Sequence, residues 1–254
     1  MPAILDTIND PADLKRLPAA SLPALAAEIR QIIIETVGHN GGHLASNLGA
    51  VELTIALHRV FDFQQDRLVW DVGHQCYAHK ILTGRRARFS TLRLTGGISG
   101  FPNPRESEYD PFLVGHASTS ISSALGLSTA FRLRNENRRV VAVVGDGAIS
   151  GGLCFEALNH AGHVKENLLV VLNDNEMAIA RTVGGLARYL TDIRTRPATH
   201  RLREDLHRFF QQLPVIGASL EWAQEKILDA IKGLVDAGHV FYALGFRYYG
   251  PLDG

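Results

Sequence analysis

The sequence has no excess of either charge. Lysine and arginine total 26 and aspartate and glutamate total 26 among 254 residues, so the formal net charge is zero. Nucleic-acid-binding domains are usually marked by an excess of clustered basic residues. The composition therefore predicts no nucleic-acid partner, and an anionic ligand has to be bound by a few local residues.

Cysteines and long apolar runs are also scarce. Cys76 and Cys154 are the two cysteines, and neither lies in a metal-ligand spacing. This excludes a disulfide framework and favours a reducing compartment. No apolar stretch approaches the roughly 20 residues that cross a bilayer, and the N-terminus lacks the features of a signal peptide. These absences predict a cytoplasmic protein without a membrane partner.

What the sequence does have is a 46% hydrophobic content arranged in helical and strand patterns. Apolar residues at helical spacing predict helices over residues 10–17, 21–37, 50–61, 118–134 and 218–235. Short strands are predicted at 68–70 and 243–249. Residues 181–213 are locally basic and predict a mobile surface insertion. The pattern indicates an α/β fold with a parallel sheet and helices on both faces.

One segment combines the strongest patterns. Residues 140–144 and 168–172 are apolar and rich in β-branched residues, which predicts two strands buried on both faces. Residues 149–163 between them have helical spacing, so the unit is strand, helix, strand with a right-handed crossover. The clusters Gly145-Asp146-Gly147 and Asn173-Asp174-Asn175 follow the two strands. Both clusters are therefore expected at the carboxyl edge of one parallel sheet, where ligands of such sheets bind.

The residue types at this edge indicate a metal-bridged diphosphate. Glycines flanking Asp146 allow close backbone approach, and the N-terminus of the next helix favours an anion. Asp146 alone would repel a phosphate, whereas a divalent cation between them removes the conflict, with Asn175 as a neutral second ligand. A nicotinamide-dinucleotide site is not indicated, because its acidic residue would lie at the end of the next strand and not inside the turn. A P-loop nucleotide site is excluded because no P-loop sequence is present.

Three histidines lie on loops flanked by glycine: His43, His74 and His116. A histidine that caps a helix or bonds a carbonyl would explain any one of them, but their clustering favours hydrogen bonding to a polar or anionic substrate. No carboxylate or cysteine shares their spacing, so transition-metal binding is not indicated.

Seven blocks of the sequence resemble 1-deoxy-D-xylulose 5-phosphate synthase, a transketolase-like family, in that family's order. They are distributed over residues 38–254: GGHLASNLGAVELTIALHRVFD, WDVGHQCYAHKILTGRR, GGISGFPNPRESEYD, VGHASTSISSALG, GDGAISGGLCFEALNHAG, LNDNEMAIA and GFRYYGPLDG. The resemblance implies a thiamine diphosphate-binding fold and the condensation of pyruvate with glyceraldehyde 3-phosphate to 1-deoxy-D-xylulose 5-phosphate, with release of CO2. That reaction feeds isoprenoid, thiamine and pyridoxal synthesis.

The resemblance also implies roles for individual residues. The metal ion would be Mg²⁺, bound by Asp146, Asn175 and the backbone carbonyl of Met177. The implied catalytic residues are His43, His74 and His116. The implied cofactor-binding residues are His74, Gly115, His116, Ser118, Gly145, Asp146, Gly147, Ala148, Asn175 and Met177. Ala178 and Ala180 stand where the family has serines, so no hydroxyl contact is expected there.

Family members are more than twice as long. The resemblance therefore predicts that residues 1–254 are one diphosphate- and Mg²⁺-binding domain, unfinished at its C-terminus. The pyrimidine-binding domain would be supplied in cis or in trans, and the complete enzyme would be a homodimer. Three alternatives stay open: an N-terminal portion of a synthase, the small subunit of a split enzyme, and an inactive binding or scaffold relative. In each case the chain alone is expected to be inactive.

Overall fold

The computed structural model describes residues 3–174, 185, 189 and 238–252. The chain divides into two compact units, Met1–Thr182 with Gly254, and Val183–Asp253. Several predictions lie outside the described residues and stay predictions. These are the helix 218–235, nearly all of the basic segment 181–213, and the metal ligands Asn175 and Met177.

The first unit begins with helices that match the predicted ones. Helix α1 (Pro11–Arg16) is preceded by Asp10, whose carboxylate accepts hydrogen bonds from the backbone N–H groups of Ala12 and Asp13 at 2.7 and 3.2 Å. The Asp13 carboxylate accepts from Asp10 N in return, which completes a capping box. The next helices are α2 (Leu22–Asn40), α3 (Ala45–Leu48) and α4 (Val51–Val60).

The sheet of this unit has three parallel strands in the order β1 (Arg67–Trp70), β2 (Val140–Gly145) and β3 (Leu168–Asn173). Trp70 pairs with Val143, and Gly145 pairs with Asn173. The residues that follow each strand therefore emerge at the same edge, as predicted. Helix α5 (Tyr77–Lys80) follows β1 closely, and helix α6 (Ser120–Leu133) precedes β2.

Helices pack on both faces of the sheet. Leu68, Trp70, Val141 and Val143 alternate along β1 and β2 and belong to one buried cluster with apolar residues of α2 and α4. Helix α6 contacts all three strands, and its Ile121 and Ala124 are fully buried outside that cluster. The predicted α/β class is confirmed. None of the helices in the described part of the chain is long and apolar enough to span a membrane.

Two predictions within this unit differ from the structure. The helix predicted over 149–163 is present as α8 (Gly152–Val164), but it begins three residues later because Gly151 is extended with φ −71° and ψ 140°, and a separate short helix, α7 (Asp146–Ile149), precedes it. Strand β3 is not buried on both faces. Its partner among the described residues is β2 alone, so β3 forms an edge and Leu169 is 44% exposed.

In the second unit, the strand predicted over 243–249 is also wrong. Helix α9 (His239–Ala243) ends in a turn at Gly245, which has a φ of 88°. The chain then returns so that the rings of Phe241 and Tyr248 stack with centroids 5.5 Å apart. The apolar residues of this segment therefore pack against each other within a helix and turn, and do not alternate between the two faces of a strand.

Residues 95–111 form an irregular loop between the helices that follow β1 and helix α6, and side-chain contacts tie this loop to the core. Glu106 accepts a hydrogen bond from the buried Lys80 Nζ at 2.6 Å, and Asp110 is paired with Arg85. We call Lys80, Arg85, Glu106 and Asp110 the buried ion cluster. His79 Nε2 also lies 2.8 Å from Asp110 Oδ1. These contacts fix the loop to the core of the first unit.

Asp110 should be important for stability because it is buried and ionised. Burial opposes its ionisation, but hydrogen bonds from His79 and the charge of Arg85 hold the pKa of Asp110 well below its usual range. A carboxylate whose pKa is lowered by folding contributes stability that is full above its unfolded pKa, about 4, and is lost as the pH falls further.

We predict that Asp110→Asn lowers the free energy of unfolding by about 3–5 kcal/mol, since it removes the nearer of the two carboxylates that pair with the buried Arg85 and leaves only Glu106, at 3.8 Å. The matched control is Asp6→Asn, which removes an exposed aspartate paired with Arg86. That change should cost less than about 1 kcal/mol. Urea unfolding at pH 7 measures both, and equal losses would contradict the assignment.

Candidate functional site

The turns that leave β1 and β2 are joined by a buried carboxylate. Asp71 follows β1 and is 1% exposed. Its Oδ1 accepts a hydrogen bond from Ser118 N at 2.7 Å, and its Oδ2 accepts one from Ser120 N at 3.0 Å. Asp71 therefore holds the loop that carries His116, and the start of α6, against the end of β1.

Ser118 continues this connection to the turn after β2. Its backbone has a φ of 69°, which is uncommon for a residue with a side chain. The hydroxyl donates a hydrogen bond to the carbonyl oxygen of Ala148 at 2.7 Å. A Cβ atom added to Gly151 would overlap with Ser118 Oγ, so glycine is needed at that position. The Ser118 hydroxyl, predicted to bind cofactor, is engaged in holding the turn that contains Asp146.

His74 lies on a strained turn. Val72 has a φ of 58° and Gly73 a φ of 85°. A β-branched residue in that region is a true outlier, and such strain concentrates at functional sites. A Cβ on Gly73 would overlap with Pro102 and Val114, so the turn is also closely packed. This conformation directs the chain from β1 to His74 within four residues.

The structure brings His43 and His74 together. Their ring centroids are 5.2 Å apart in an edge-to-face arrangement, and the Phe101 ring lies 6.2 Å from His43. Asn47 is fully buried between the two histidine loops. Its Nδ2 donates to the carbonyl oxygens of His43 and His74 at 2.6 and 2.7 Å, and its Oδ1 accepts from Tyr77 N at 2.8 Å.

Both rings of this pair are held neutral at neutral pH. Burial, and then the charge of Arg93, lowers the pKa of His43. Burial, and then His43, lowers the pKa of His74, with Asp71 opposing. A neutral imidazole has one donor and one acceptor nitrogen. His74 Nδ1 is buried and has no hydrogen-bond partner among the described residues.

His116 is placed differently. It is exposed, on the loop that Asp71 anchors, and no ring contact joins it to His43 or His74 among the described residues. Gly115 is exposed beside it. The structure thus pairs two of the three predicted histidines and leaves the third on a neighbouring loop.

The turn after β2 has the properties that a diphosphate and a cation require. Within the described part of the chain, no group donates a hydrogen bond to the half-buried Asp146 carboxylate. Cβ atoms added to Gly145 and Gly147 would meet open space. The described residues contain no cluster of three or more His, Cys, Asp or Glu that could hold a metal ion. Asp146 and the open turn fit the diphosphate end of the implied cofactor together with its cation. The other two predicted metal ligands, Asn175 and Met177, lie outside the described residues.

The sequence analysis missed Asn47, Asp71 and Tyr77. Each lies within a block that resembles the family, but none has a spacing typical of a catalytic motif. Their partners are mostly backbone groups of segments about 30 to 50 residues away, such as Tyr77 for Asn47 and Ser118 for Asp71. A signal did exist for Asp71, which follows a predicted strand at the ligand-binding edge.

Comparison with known proteins agrees with this architecture. Crystal structures of transketolase from Pichia stipitis superpose with TM-scores of 0.58 and 0.56, covering 68% and 64% of this chain and 30% and 28% of theirs, at 21% and 22% identity. The fold is therefore of the transketolase class.

The family follows from sequence. The family profile of 1-deoxy-D-xylulose-5-phosphate synthase matches residues 5–254. The synthases of Desulforudis audaxviator and Carboxydothermus hydrogenoformans are 56% and 54% identical over 99% and 100% of this chain. The chain belongs to the 1-deoxy-D-xylulose-5-phosphate synthase family. It spans about 40% of the length of these curated relatives.

The contact between Ser118 and Gly151 gives a test of the site's framework. We predict that Gly151→Ala lowers the free energy of unfolding by about 1–3 kcal/mol, because the new methyl group displaces Ser118 Oγ from Ala148. Gly152→Ala is the matched control, since its Cβ would meet open space. Urea unfolding of both variants measures the difference, and equal stabilities would contradict the tight contact.

Proposed function

We propose that this chain is the diphosphate-binding part of 1-deoxy-D-xylulose 5-phosphate synthase, which condenses pyruvate with glyceraldehyde 3-phosphate and releases CO2. The observation that carries the proposal is identity above 50% over essentially the whole chain to synthases of that name. The arrangement of the sheet edge supports it. The predicted homodimer and cytoplasmic location stay predictions.

We assign the turn after β2 to the cofactor's diphosphate and its Mg²⁺ ion. Asp146 supplies a carboxylate that accepts no hydrogen bond from the described residues, Gly145 and Gly147 leave room for close backbone approach, and Ala148 would contact the diphosphate. Asn175 and the Met177 carbonyl would complete the protein ligands. Gly115, His116 and Ser118 line the adjacent loop, with Ser118 acting through Ala148.

Thiamine diphosphate, when bound, supplies the carbon nucleophile that permits decarboxylation of a 2-oxo acid. The chain's own residues bind and orient the reactants. His43 and His74 are neutral and can each donate and accept a hydrogen bond, so they suit proton transfer near neutral pH. The unpartnered Nδ1 of His74 is the atom we assign to the ligand. Phe101 lies beside His43 and packs edge-to-face against its ring.

The metal assignment predicts that Asp146→Ala abolishes Mg²⁺-dependent binding of thiamine diphosphate without unfolding the protein. Asp6→Ala, which changes an exposed aspartate, is the control. Calorimetric titration with the pyrimidine-binding part of the enzyme present measures both. Equal cofactor affinity in Asp146→Ala and in the wild type would count against the assignment.

A second prediction concerns activity. The 254-residue chain alone should form no 1-deoxy-D-xylulose 5-phosphate above background. In the family that the chain resembles, cofactor activation also needs the pyrimidine-binding part, which these 254 residues do not supply. Adding that part, fused or as a separate polypeptide, should give pyruvate- and glyceraldehyde 3-phosphate-dependent product. Robust turnover by the isolated chain would refute the first expectation. Absence of product from the completed enzyme would refute the proposed function and favour an inactive relative.

A further inference from the structure

We infer that Asn47 is a positioning residue, which fixes His43 and His74 as one coupled pair by bridging the backbones of their two loops. The inference rests on the proposed function for its effect on catalysis. Its effect on the two rings can be measured without any turnover.

Asn47 satisfies three backbone groups from three places in the chain. One amide nitrogen bonds the carbonyls of His43 and His74, and the amide oxygen bonds the N–H of Tyr77. All three bonds lie between 2.6 and 2.8 Å. Asn47 is 0% exposed, so water cannot easily replace these bonds.

The chemistry of these three bonds requires a side-chain amide. Two acceptors and one donor must be satisfied from a single side chain, which takes two N–H groups and one oxygen. An aspartate would present oxygens to two carbonyl oxygens, and an aliphatic residue would leave all three groups unpaired. Glutamine has the same groups but is one methylene longer, which the closed site does not accommodate without movement.

The turn that carries His74 is strained, and Asn47 holds one end of it. Val72 and Gly73 both have positive φ angles, and strained turns persist only where the surroundings fix them. Asp71 holds the beginning of this turn through Ser118 and Ser120. Asn47 holds its end at the His74 carbonyl, so loss of the amide would release the histidine side of the turn.

The rings of His43 and His74 are close enough to interact electrostatically. The charged and titratable groups that face this pair are Arg93, Asp71 and Tyr77, together with the two histidines themselves. His43 lowers the pKa of His74 because protonation of both rings would place two positive charges about 5 Å apart. This coupling depends on the distance between the rings and therefore reports whether Asn47 maintains it.

The test is a double-mutant cycle observed by NMR titration of labelled histidines in the full 254-residue chain. His43→Gln should raise the titration midpoint of His74 by roughly half a pH unit, the interaction of two charges about 5 Å apart at the dielectric of water. In the Asn47→Ala background the same substitution should have little effect. An equal shift in both backgrounds would overturn the inference.

Two further variants keep the test decisive. Asn47→Ser retains one hydroxyl donor and replaces Asn47→Ala if the latter does not fold, with intermediate coupling expected. Thr54→Val is the matched control, because it removes another fully buried hydrogen bond to a backbone carbonyl, from Thr54 Oγ1 to Ala50 O at 2.6 Å. It should leave the coupling between His43 and His74 unchanged, and loss of the coupling there would mean that general destabilisation is sufficient.

The effect on catalysis is measured in the enzyme completed with its pyrimidine-binding part. Asn47→Ala should lower kcat by about 10- to 100-fold, as expected when reacting groups are displaced by about 1 Å. Thr54→Val should keep the wild-type kcat. If the completed wild-type enzyme forms no product, the proposed function fails, while the NMR cycle still decides the role of Asn47.

Discussion

The candidate site depends on the buried carboxylate of Asp71. Removing a carboxylate from water is costly unless hydrogen bonds replace its hydration. Here two backbone N–H groups, from Ser118 and Ser120, bond its two oxygens. Ser118 in turn bonds the Ala148 carbonyl in the turn that follows β2. One short series of bonds therefore sets the positions of the His74 turn, the His116 loop and the Asp146 turn relative to one another.

The framework around this series is rigid for two separate reasons. Parallel pairing places the ends of β1 and β2 at one edge, and the register of Gly145 opposite Asn173 adds the end of β3. The buried ion cluster fixes the loop that places Phe101 beside His43. Loops normally differ from the elements they connect in mobility. Here charge pairing that water cannot reach makes a loop part of the scaffold.

The sequence predicted the features that depend on local pattern. The strands at 140–144 and 168–172 and the edge position of Asp146 all follow from spacing within one segment. The break at Gly151 could not be predicted, because it depends on contact with Ser118, 33 residues earlier. The exposure of β3 was missed for a related reason, since apolar composition does not reveal which neighbours cover a strand. Asn47 was missed because its partners are backbone groups, which leave no trace in sequence.

The neutral state of the two histidines has a consequence for the proposed cofactor. Burial makes both rings poor cations at neutral pH, and the chain as a whole has no net charge. The paired histidines therefore cannot balance the negative charge of a diphosphate, and Asp146 adds another negative charge beside it. A divalent cation held by Asp146 would reverse the sign of the local charge, from negative to positive. In the proposed site, neutral histidines at the reacting end and a metal ion at the diphosphate end would have complementary roles. The metal ion would balance the charge, and the histidines would be left to donate and accept protons.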